Sequence, residues 1–308
     1  MQAHASIPIA EHRFQFGYYR QVWWGWLIGS AFFFGEVGAG LFLVSLWTGD
    51  LVGMTLGYAI VMVGKNGAHL LYLGRPARFW RAARRPDRSW IARGIWATGI
   101  FGASGFLWLL SQWGDYRLWT GGPATIIFWM AALSALFIMF YDGFVMSASP
   151  SIPFWHIGLL PLLCLTYAAL GGVTLSLTVG ELLGRADATH QSALMWGESL
   201  LLVINLLLLA VYLWLMWHRN ETARETVRLL LQGRYARFFV GLVVLVGLIA
   251  TLLLSLAHTQ LAVRWLMIVI AACELTGDFT LLMVLLKSGL YAPQAAPVFL
   301  PSRNRRRS

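Results

Sequence analysis

Long uninterrupted apolar runs dominate the chain, and polar residues collect in the short stretches between them. The runs lack the alternation of period two that marks a half-buried strand, and lipid offers no hydrogen-bond partner to an open strand edge. A helix needs about 20 mainly apolar residues to cross a bilayer. The pattern therefore predicts an all-α integral membrane protein.

The apolar runs predict eight transmembrane helices, at residues 24–47, 51–73, 92–113, 123–146, 156–180, 192–217, 238–257 and 265–287. The stretch 147–155, which contains two prolines, separates the fourth helix from the fifth. We therefore expect two antiparallel four-helix bundles, formed by residues 24–146 and 156–287. Between the sixth and seventh helices, residues 218–238 are typical of a short amphipathic helix at the membrane surface.

The residues that flank the two bundles are polar or basic. Residues 1–23 contain no short apolar run before a cleavage site, so we do not expect a removable signal peptide. Residues 288–308 form a basic tail that ends in RNRRRS. Because basic residues are concentrated on the side of the termini, we expect both segments to lie in the cytoplasm.

Composition agrees with this interpretation, since 58% of the residues are hydrophobic and 12% are charged, against about 25% charged in soluble domains. The formal net charge is +10. With eight helices, 19 of the 23 basic residues lie on the side of the termini, three lie on the other side, and Lys65 lies inside a helix. The positive-inside rule then predicts that both termini lie in the cytoplasm and that the protein belongs to the inner (cytoplasmic) membrane. Because orientation already explains the excess of basic residues, we expect no nucleic acid partner.

Two cysteines are present, Cys164 and Cys273, each within a predicted helix. Protein-bound iron–sulfur clusters are commonly held by four thiolates. We therefore expect no iron–sulfur cluster and no metal in this chain.

Ionisable side chains within the predicted helices carry the candidate chemistry, because each is costly in hydrocarbon unless it is paired or wetted. They are Glu36, Lys65, His69, Asp142, His156, Glu198, Glu274 and Asp278.

The first group belongs to the first bundle. Counted from the cytoplasmic ends, Glu36 lies about 18 Å deep, Lys65 about 12 Å and His69 about 6 Å. We expect Glu36 to meet Lys65 across neighbouring helices, with His69 on the same helix face as Lys65 and Asn66 beside them. Such a group either is an ion pair that fixes helix register or forms a polar pocket with a proton relay.

Tyr141 and Asp142 lie at the depth of His69, near the cytoplasmic end of the fourth helix. A phenol, an imidazole and a carboxylate suit a quinone, whose carbonyl oxygens need hydrogen-bond donors and whose reduction consumes two protons. The alternative is a Tyr and an Asp that extend to the membrane interface without binding anything.

The second bundle contains Glu274 and Asp278, four residues apart on one helix face. Two carboxylates close together in a low dielectric repel each other, so one is protonated or both face water or a cation. With Glu198 nearer the outer surface, they either form a proton path or line a polar cavity that does not conduct.

Two other functions are compatible with these positions. His69 and His156 lie at similar depth and are candidate axial ligands of a haem b, although di-haem anchors normally contain more histidines within the membrane. An ion or proton transporter would use Glu36, Lys65, Glu274 and Asp278 as its path.

Two stretches resemble a known family. HLLYLGRPARFWRAARRPDRSWIARGIW, residues 69–96, resembles the loop between the second and third helices of the NrfD-like family of polysulfide reductase membrane subunits. FFFGEVGAGLFLVSL, residues 32–46, is similar to the glycine-rich first helix of that family. The eight-helix plan also agrees, so the resemblance extends over nearly the whole chain.

The resemblance implies a quinone-reactive electron-transfer subunit of a multi-subunit oxidoreductase, without haem of its own. Its cofactor would be ubiquinone or menaquinone. Its partners would be a ferredoxin-like iron–sulfur subunit and a molybdopterin catalytic subunit, which would carry out the substrate chemistry. By position, Tyr141 resembles the tyrosine of the family's quinone pocket, and His69 and Arg75 flank the same face.

We therefore assign two sets of candidate residues. The expected catalytic residues are His69, Tyr141 and Asp142. The residues expected to bind the quinone are Glu36, Lys65, Asn66 and Arg75.

Overall fold

A computed structural model describes residues 18–113, 120–184, 188–261 and 263–292. Apart from a pair of two-residue strands, its regular structure is helical. The α-helices are α1 (Trp26–Thr48), α2 (Leu51–Ala59), α3 (Asn66–Tyr72), α4 (Trp90–Trp113), α5 (Gly122–Ser147), α6 (Leu159–Leu182), α7 (Ala188–Arg219), α8 (Glu221–Leu231), α9 (Thr251–Leu261) and α10 (Arg264–Ser288). Two π-helical segments (Ile60–Lys65 and Arg237–Ala250), a 3-10 helix (Pro76–Arg84) and the strands β1 (Tyr19–Arg20) and β2 (Leu290–Tyr291) complete it.

Among the described residues, seven helices are long and apolar enough to cross a membrane: Trp26–Thr48, Trp90–Trp113, Gly122–Ser147, Leu159–Leu182, His190–Arg219, Arg237–Leu261 and Arg264–Ser288. Each of them overlaps one of the predicted helices and ends within a few residues of it. Their apolar composition favours helices because, in lipid, a helix satisfies its backbone hydrogen bonds within itself.

The predicted second helix is helical from Leu51 to Tyr72, but it has three sections. Helix α2 continues into the π-helical segment Ile60–Lys65 and then into α3. The backbone stays right-handed helical at both junctions, at Ile60 and at Lys65. A π turn closes its hydrogen bonds from i to i+5, so it shifts the direction of every side chain that follows.

Three predictions made outside the long helices have clear outcomes. The amphipathic surface helix is confirmed as α8, whose first turn is capped by the Asn220 side chain accepting from the backbone N–H of Ala223 at 2.8 Å. His156 lies in the turn before α6 instead of inside the fifth helix. His258, one residue beyond the predicted helix 238–257, lies in α9 and is 3% exposed.

Both ends of the described chain meet at one face of the molecule. Strands β1 and β2 pair antiparallel, with Tyr19 opposite Tyr291. The Gln21 side chain donates to the backbone oxygens of Trp24 and Leu286, both at 3.0 Å. The loop 73–89 between α3 and α4 lies at the same end, and we call this end the arginine face. Most of the N-terminal segment 1–23 and of the tail 288–308 lies outside the described residues.

Helices α1 and α6 form a close contact in the centre of the molecule. Gly40 and Gly172 face each other there, and a Cβ at Gly40 would lie 2.0 Å from the backbone oxygen of Ala168. Small residues at such points let membrane helices approach closely. The contact brings the helix of Glu36 beside the helix of Tyr167.

Gly40→Ala is expected to lower the free energy of unfolding by about 1–3 kcal/mol, because the added methyl group collides with backbone that cannot rotate away. Thermal unfolding of the purified protein in detergent measures the effect. The matched control is Gly99→Ala in α4, where a Cβ meets nothing within 4 Å. Equal shifts for the two variants would contradict the close contact.

Candidate functional site

A buried ion pair lies in the half of the membrane region nearest the arginine face. The Lys65 ammonium nitrogen is 3.5 Å from Asp142 Oδ1, and the two side chains are 4% and 0% exposed. Lys65 precedes the end of α3 by seven residues and Asp142 precedes the end of α5 by five. The pair therefore lies about 8–10 Å inside the helix ends.

Aromatic rings and two glycines form the walls around this pair. The Lys65 ammonium lies 5.2 Å from the ring centre of Tyr141 and 5.8 Å from that of Phe32. A Cβ at Gly35 would lie 2.6 Å from Lys65 Nζ, and one at Gly94 would lie 2.2 Å from Tyr141 Cζ. The two glycines thus leave the room that the ammonium and the phenol occupy.

His69 borders the same region. Its ring centre lies 6.5 Å from that of Phe32, which also faces Lys65. Its Nδ1 atom is buried and has no hydrogen-bond partner within the described part of the chain. The structure therefore brings together Lys65, His69, Tyr141 and Asp142, and we call these four residues the polar pocket.

The expected pair of Glu36 with Lys65 is replaced by the pair of Lys65 with Asp142. Glu36 is fully buried, and neither of its carboxyl oxygens has a hydrogen-bond partner among the residues described. It still interacts electrostatically with Lys65, Asp142 and Asp278. The physical reason is the direction of the side chains on α1. The Lys65 ammonium lies against Gly35, where a Cβ would be 2.6 Å from Nζ, and the next residue, Glu36, points about 100° around the helix from it.

Three buried carboxyl groups form a series from the polar pocket into the second half of the chain. Glu36 on α1 is followed by Asp278 and then Glu274 on α10, with the electrostatic contacts Glu36 to Asp278 and Glu274 to Asp278. All six carboxyl oxygens, and the buried hydroxyl of Tyr167 on α6, lack hydrogen-bond partners in the described ranges. We call Glu36, Asp278 and Glu274 the carboxyl series.

Glu198 on α7 continues the carboxyl series towards the opposite face. It interacts electrostatically with Glu274. Its carboxylate accepts hydrogen bonds from the hydroxyl groups of Thr174, at 3.0 Å, and Ser255. Unlike the three carboxyl groups of the series, Glu198 therefore has partners for both oxygens.

The remaining candidates lie away from the polar pocket. The Asn66 amide donates to the backbone oxygen of Met62, on its own helix, at 3.2 Å. Arg75 is exposed in the loop, where it precedes the 3-10 helix. His156 is exposed, and its Nδ1 lies 2.6 Å from the backbone oxygen of Ser147. The structure does not place His156 beside His69 as a second axial ligand.

Two arginines of the loop 73–89 lie against the ring of Trp80. Arg84 lies 4.2 Å and Arg81 lies 5.7 Å from the ring centre of Trp80. Trp96 of α4 donates to the backbone oxygen of Ala83 at 3.0 Å and so fixes the loop to the membrane helices. In the part of the chain that is described, the one carboxylate near this loop's arginines is Asp87, 3.4 Å from Arg88. The loop thus presents uncompensated positive charge on a rigid support.

Chemically, the polar pocket combines a cation, a carboxylate, a phenol and an imidazole in a low dielectric. The cation, the phenol and the imidazole donate hydrogen bonds to carbonyl oxygens, the carboxylate accepts them, and the last three groups exchange protons. Within the described ranges, no three His, Cys, Asp or Glu side chains come together as a metal site.

Sequence reasoning missed several members of the site. Phe32, Gly35 and Gly94 shape the polar pocket, and Tyr167 lies beside the carboxyl series. For Gly35, the signal was its position next to Glu36 in the glycine-rich stretch of the first helix. No local pattern marks Gly94 or Tyr167, because each matters only through a helix that is distant in sequence.

Comparison with protein families agrees with these features. Residues 15–294 match the family model "Polysulphide reductase, NrfD". A comparison with curated protein sequences gave no significant match. Members of the matched family are membrane subunits of molybdoenzyme complexes of the polysulfide reductase type, and they have a redox role there. Because the match covers most of the chain and the helices are those of a multi-pass membrane protein, this chain belongs to the NrfD polysulphide reductase family.

Proposed function

We propose that this chain is the quinone-reactive electron-transfer subunit of an oxidoreductase complex. It would pass electrons between an iron–sulfur subunit and the quinone pool of the membrane. The observation that carries the proposal is the buried pair of Lys65 and Asp142, with Tyr141 and His69 beside it, close to the arginine face. Membership of a family of redox membrane subunits supports the same function.

The polar pocket suits the chemistry of a quinone head group. Reduction to the quinol adds two electrons and two protons, and negative charge develops on the carbonyl oxygens during this step. The Lys65 ammonium would stabilise that charge, since a fixed cation in a low dielectric acts strongly. Tyr141 and His69 would donate hydrogen bonds to the quinone, while the Asp142 carboxylate would accept hydrogen bonds, and all three would exchange protons. Ubiquinone and menaquinone both fit this scheme.

The partners would bind at the arginine face. An iron–sulfur subunit with an acidic surface fits the loop 73–89, where Arg81 and Arg84 lie against the Trp80 ring and Trp96 holds the loop backbone at Ala83. The polar pocket lies about 8–10 Å inside that face, which keeps the path for electrons short. A molybdopterin subunit would bind to the iron–sulfur subunit and carry out the substrate chemistry.

The proposed topology has eight transmembrane helices in two bundles of four, in the inner membrane, with both termini in the cytoplasm. The eighth helix, beyond the seven long ones, would be residues 51–72 with its π-helical segment, which is about 33 Å long. The excess of basic residues at the arginine face supports the orientation.

A second proposed activity is proton transfer along the carboxyl series and Glu198. The observation that favours it is the row of buried carboxyl groups that lack partners among the described residues. Ionisable groups at such depth are costly, which is why they usually mark ion or proton paths. In a transporter without quinone chemistry, the carboxyl series and Glu198 would form the whole proton path.

The test of the main function is a binding measurement on purified protein. We expect it to bind a quinone analogue and to bring down an iron–sulfur subunit when it is isolated in mild detergent. A protein that does neither would refute the proposal. Proton movement without quinone binding would favour the transporter.

Gly94→Ala is expected to slow quinone reduction by about tenfold or more, because displacement within a catalytic site is costly. The added methyl group would overlap the Tyr141 ring, at 2.2 Å from Cζ and 2.7 Å from the hydroxyl oxygen. Turnover with a quinone is compared with turnover with a water-soluble dye that accepts electrons from the partner subunits.

The matched control is Gly99→Ala on the same helix, where a Cβ meets nothing within 4 Å. It should leave both activities unchanged. If Gly94→Ala keeps normal quinone turnover, Tyr141 does not act in the way proposed.

A further inference from the structure

A cavity of about 340 Å³ lies at the face opposite the arginine face. It is enclosed by the turn between α1 and α2, the end of α6 and the start of α7. Its polar lining residues are Thr48, Asp50, Ser176, His190 and Gln191. A cavity of this size with five polar residues in its lining has room for several water molecules.

The bottom of the cavity lies one helical turn from Glu198. Gln191, Leu194 and Glu198 follow one another at i, i+3 and i+7 and therefore share one face of α7. Four residues of helix correspond to about 6 Å, the distance along the axis from Leu194 to Glu198. On α6, Leu177 of the cavity lining follows Thr174, which donates to Glu198, by three residues.

Two leucines separate the cavity from Glu198. Leu177 and Leu194 line the cavity and belong to the same apolar cluster, together with Val173 and Met267. Polar groups resume immediately behind them, with Thr174, Glu198 and Ser255 joined by hydrogen bonds. From the surface inwards, the cavity is therefore followed by a thin apolar layer and then by the buried carboxyl group of Glu198.

The titratable groups around Glu198 come from two neighbouring helices. Glu274 on α10 interacts with it electrostatically. His258 on α9 lies three residues beyond Ser255, is 3% exposed, and has no hydrogen-bond partner for either ring nitrogen within the described residues. Among the described residues, no arginine or lysine lines the cavity.

We propose that this cavity is a water-filled vestibule that connects Glu198, and through it the carboxyl series, with the aqueous phase at the face opposite the arginine face. A hydronium ion that has passed from the vestibule through the leucine layer gives its proton to the Glu198 carboxylate, and a water molecule remains. The proton then passes to Glu274, and no electron is transferred in these steps. The inference rests on the proton path proposed above and does not require that a quinone binds.

Cysteine labelling tests for the water. Ser176→Cys and Leu194→Cys place a thiol in the vestibule, while Val211→Cys places one on a half-exposed, apolar position of α7 as a control. The unaltered chain, with Cys164 and Cys273, is the blank. A charged, membrane-impermeant methanethiosulfonate is added to spheroplasts, so that it reaches only the outer face of the cytoplasmic membrane.

Both vestibule thiols are expected to react about a hundredfold faster than Cys at position 211, since a charged reagent enters hydrocarbon poorly. Two positions are used, so that poor folding of one variant leaves the other to decide. If the reagent reacts with neither vestibule thiol, or only after it is given access to the cytoplasmic face, the inference is wrong.

A second measurement tests the connection to protons. The isolated complex with Leu194→Cys is placed in vesicles, and proton uptake or release per electron is measured before and after labelling of the vestibule. We expect labelling to change this ratio while dye-linked electron transfer stays constant. An unchanged ratio would show that the cavity does not conduct protons. Absence of quinone turnover before labelling would instead count against the proposed main function.

Discussion

Lys65→Met is expected to lower the free energy of unfolding by about 3–5 kcal/mol, because it leaves the buried Asp142 without its counter-charge. Asp142→Asn should have an effect of similar size, since Lys65 then loses the carboxylate that lies 3.5 Å from its ammonium nitrogen. Thermal or denaturant unfolding in detergent measures both effects. Quinone turnover should fall strongly in each variant.

The double variant Lys65→Met with Asp142→Asn separates stability from function. Removing both charges together avoids an unpaired ion, so stability should recover relative to either single variant. Quinone turnover should stay low, because the cation of the polar pocket is still missing. Recovery of turnover along with stability would show that the pair only fixes helix register.

A surface pair provides the control for the stability measurements. Arg88 and Asp87 lie 3.4 Å apart, but their side chains are 77% and 66% exposed. Arg88→Gln should therefore change the free energy of unfolding by less than about 1 kcal/mol. A loss as large as that of Lys65→Met would mean that burial is not the cause.

Glu36→Gln is expected to reduce quinone turnover by about 10²-fold, the lower end of what a proton-transferring group contributes. Glu36 lies between the polar pocket and Asp278, with electrostatic contacts to both sides. The amide cannot carry the proton, although it has nearly the same shape. Dye-linked oxidation by the partner subunits should be unaffected, and steady-state assays of the two activities provide the measurement.

Glu221→Gln is the matched control for this substitution. Glu221 is on the surface helix α8, where its carboxylate pairs with Arg224 at 2.7 Å. We expect normal turnover. Full quinone activity in Glu36→Gln would mean that protons reach the polar pocket by another route and that the carboxyl series is structural.

The sequence was sufficient for the helices that cross the membrane. Lipid allows a buried backbone few alternatives to a helix, so apolar runs such as 265–287 lie within a few residues of the observed Arg264–Ser288. The amphipathic pattern of residues 218–238 likewise indicated α8.

The pairing of the ionisable groups could not be predicted in the same way. Residue counts give the depth of a side chain but not the direction in which it points across to another helix. The Lys65 ammonium lies against Gly35 and pairs with Asp142, while Glu36 points to another side of α1. His258 falls outside the predicted helix 238–257 because α9 continues beyond the apolar run, to Leu261. The cavity depends on three separate stretches of chain, which no local pattern connects.

Labelling with a photoreactive quinone tests the central claim most directly. The isolated complex is illuminated with an azidoquinone, and the modified peptides are identified by mass spectrometry. The polar pocket predicts modification around Phe32 on α1 and around Tyr141 on α5, and loss of both signals in the double variant of Lys65 and Asp142. Modification confined to the opposite cavity, at Thr48–Leu51 or at His190–Leu194, would contradict a quinone site in the polar pocket.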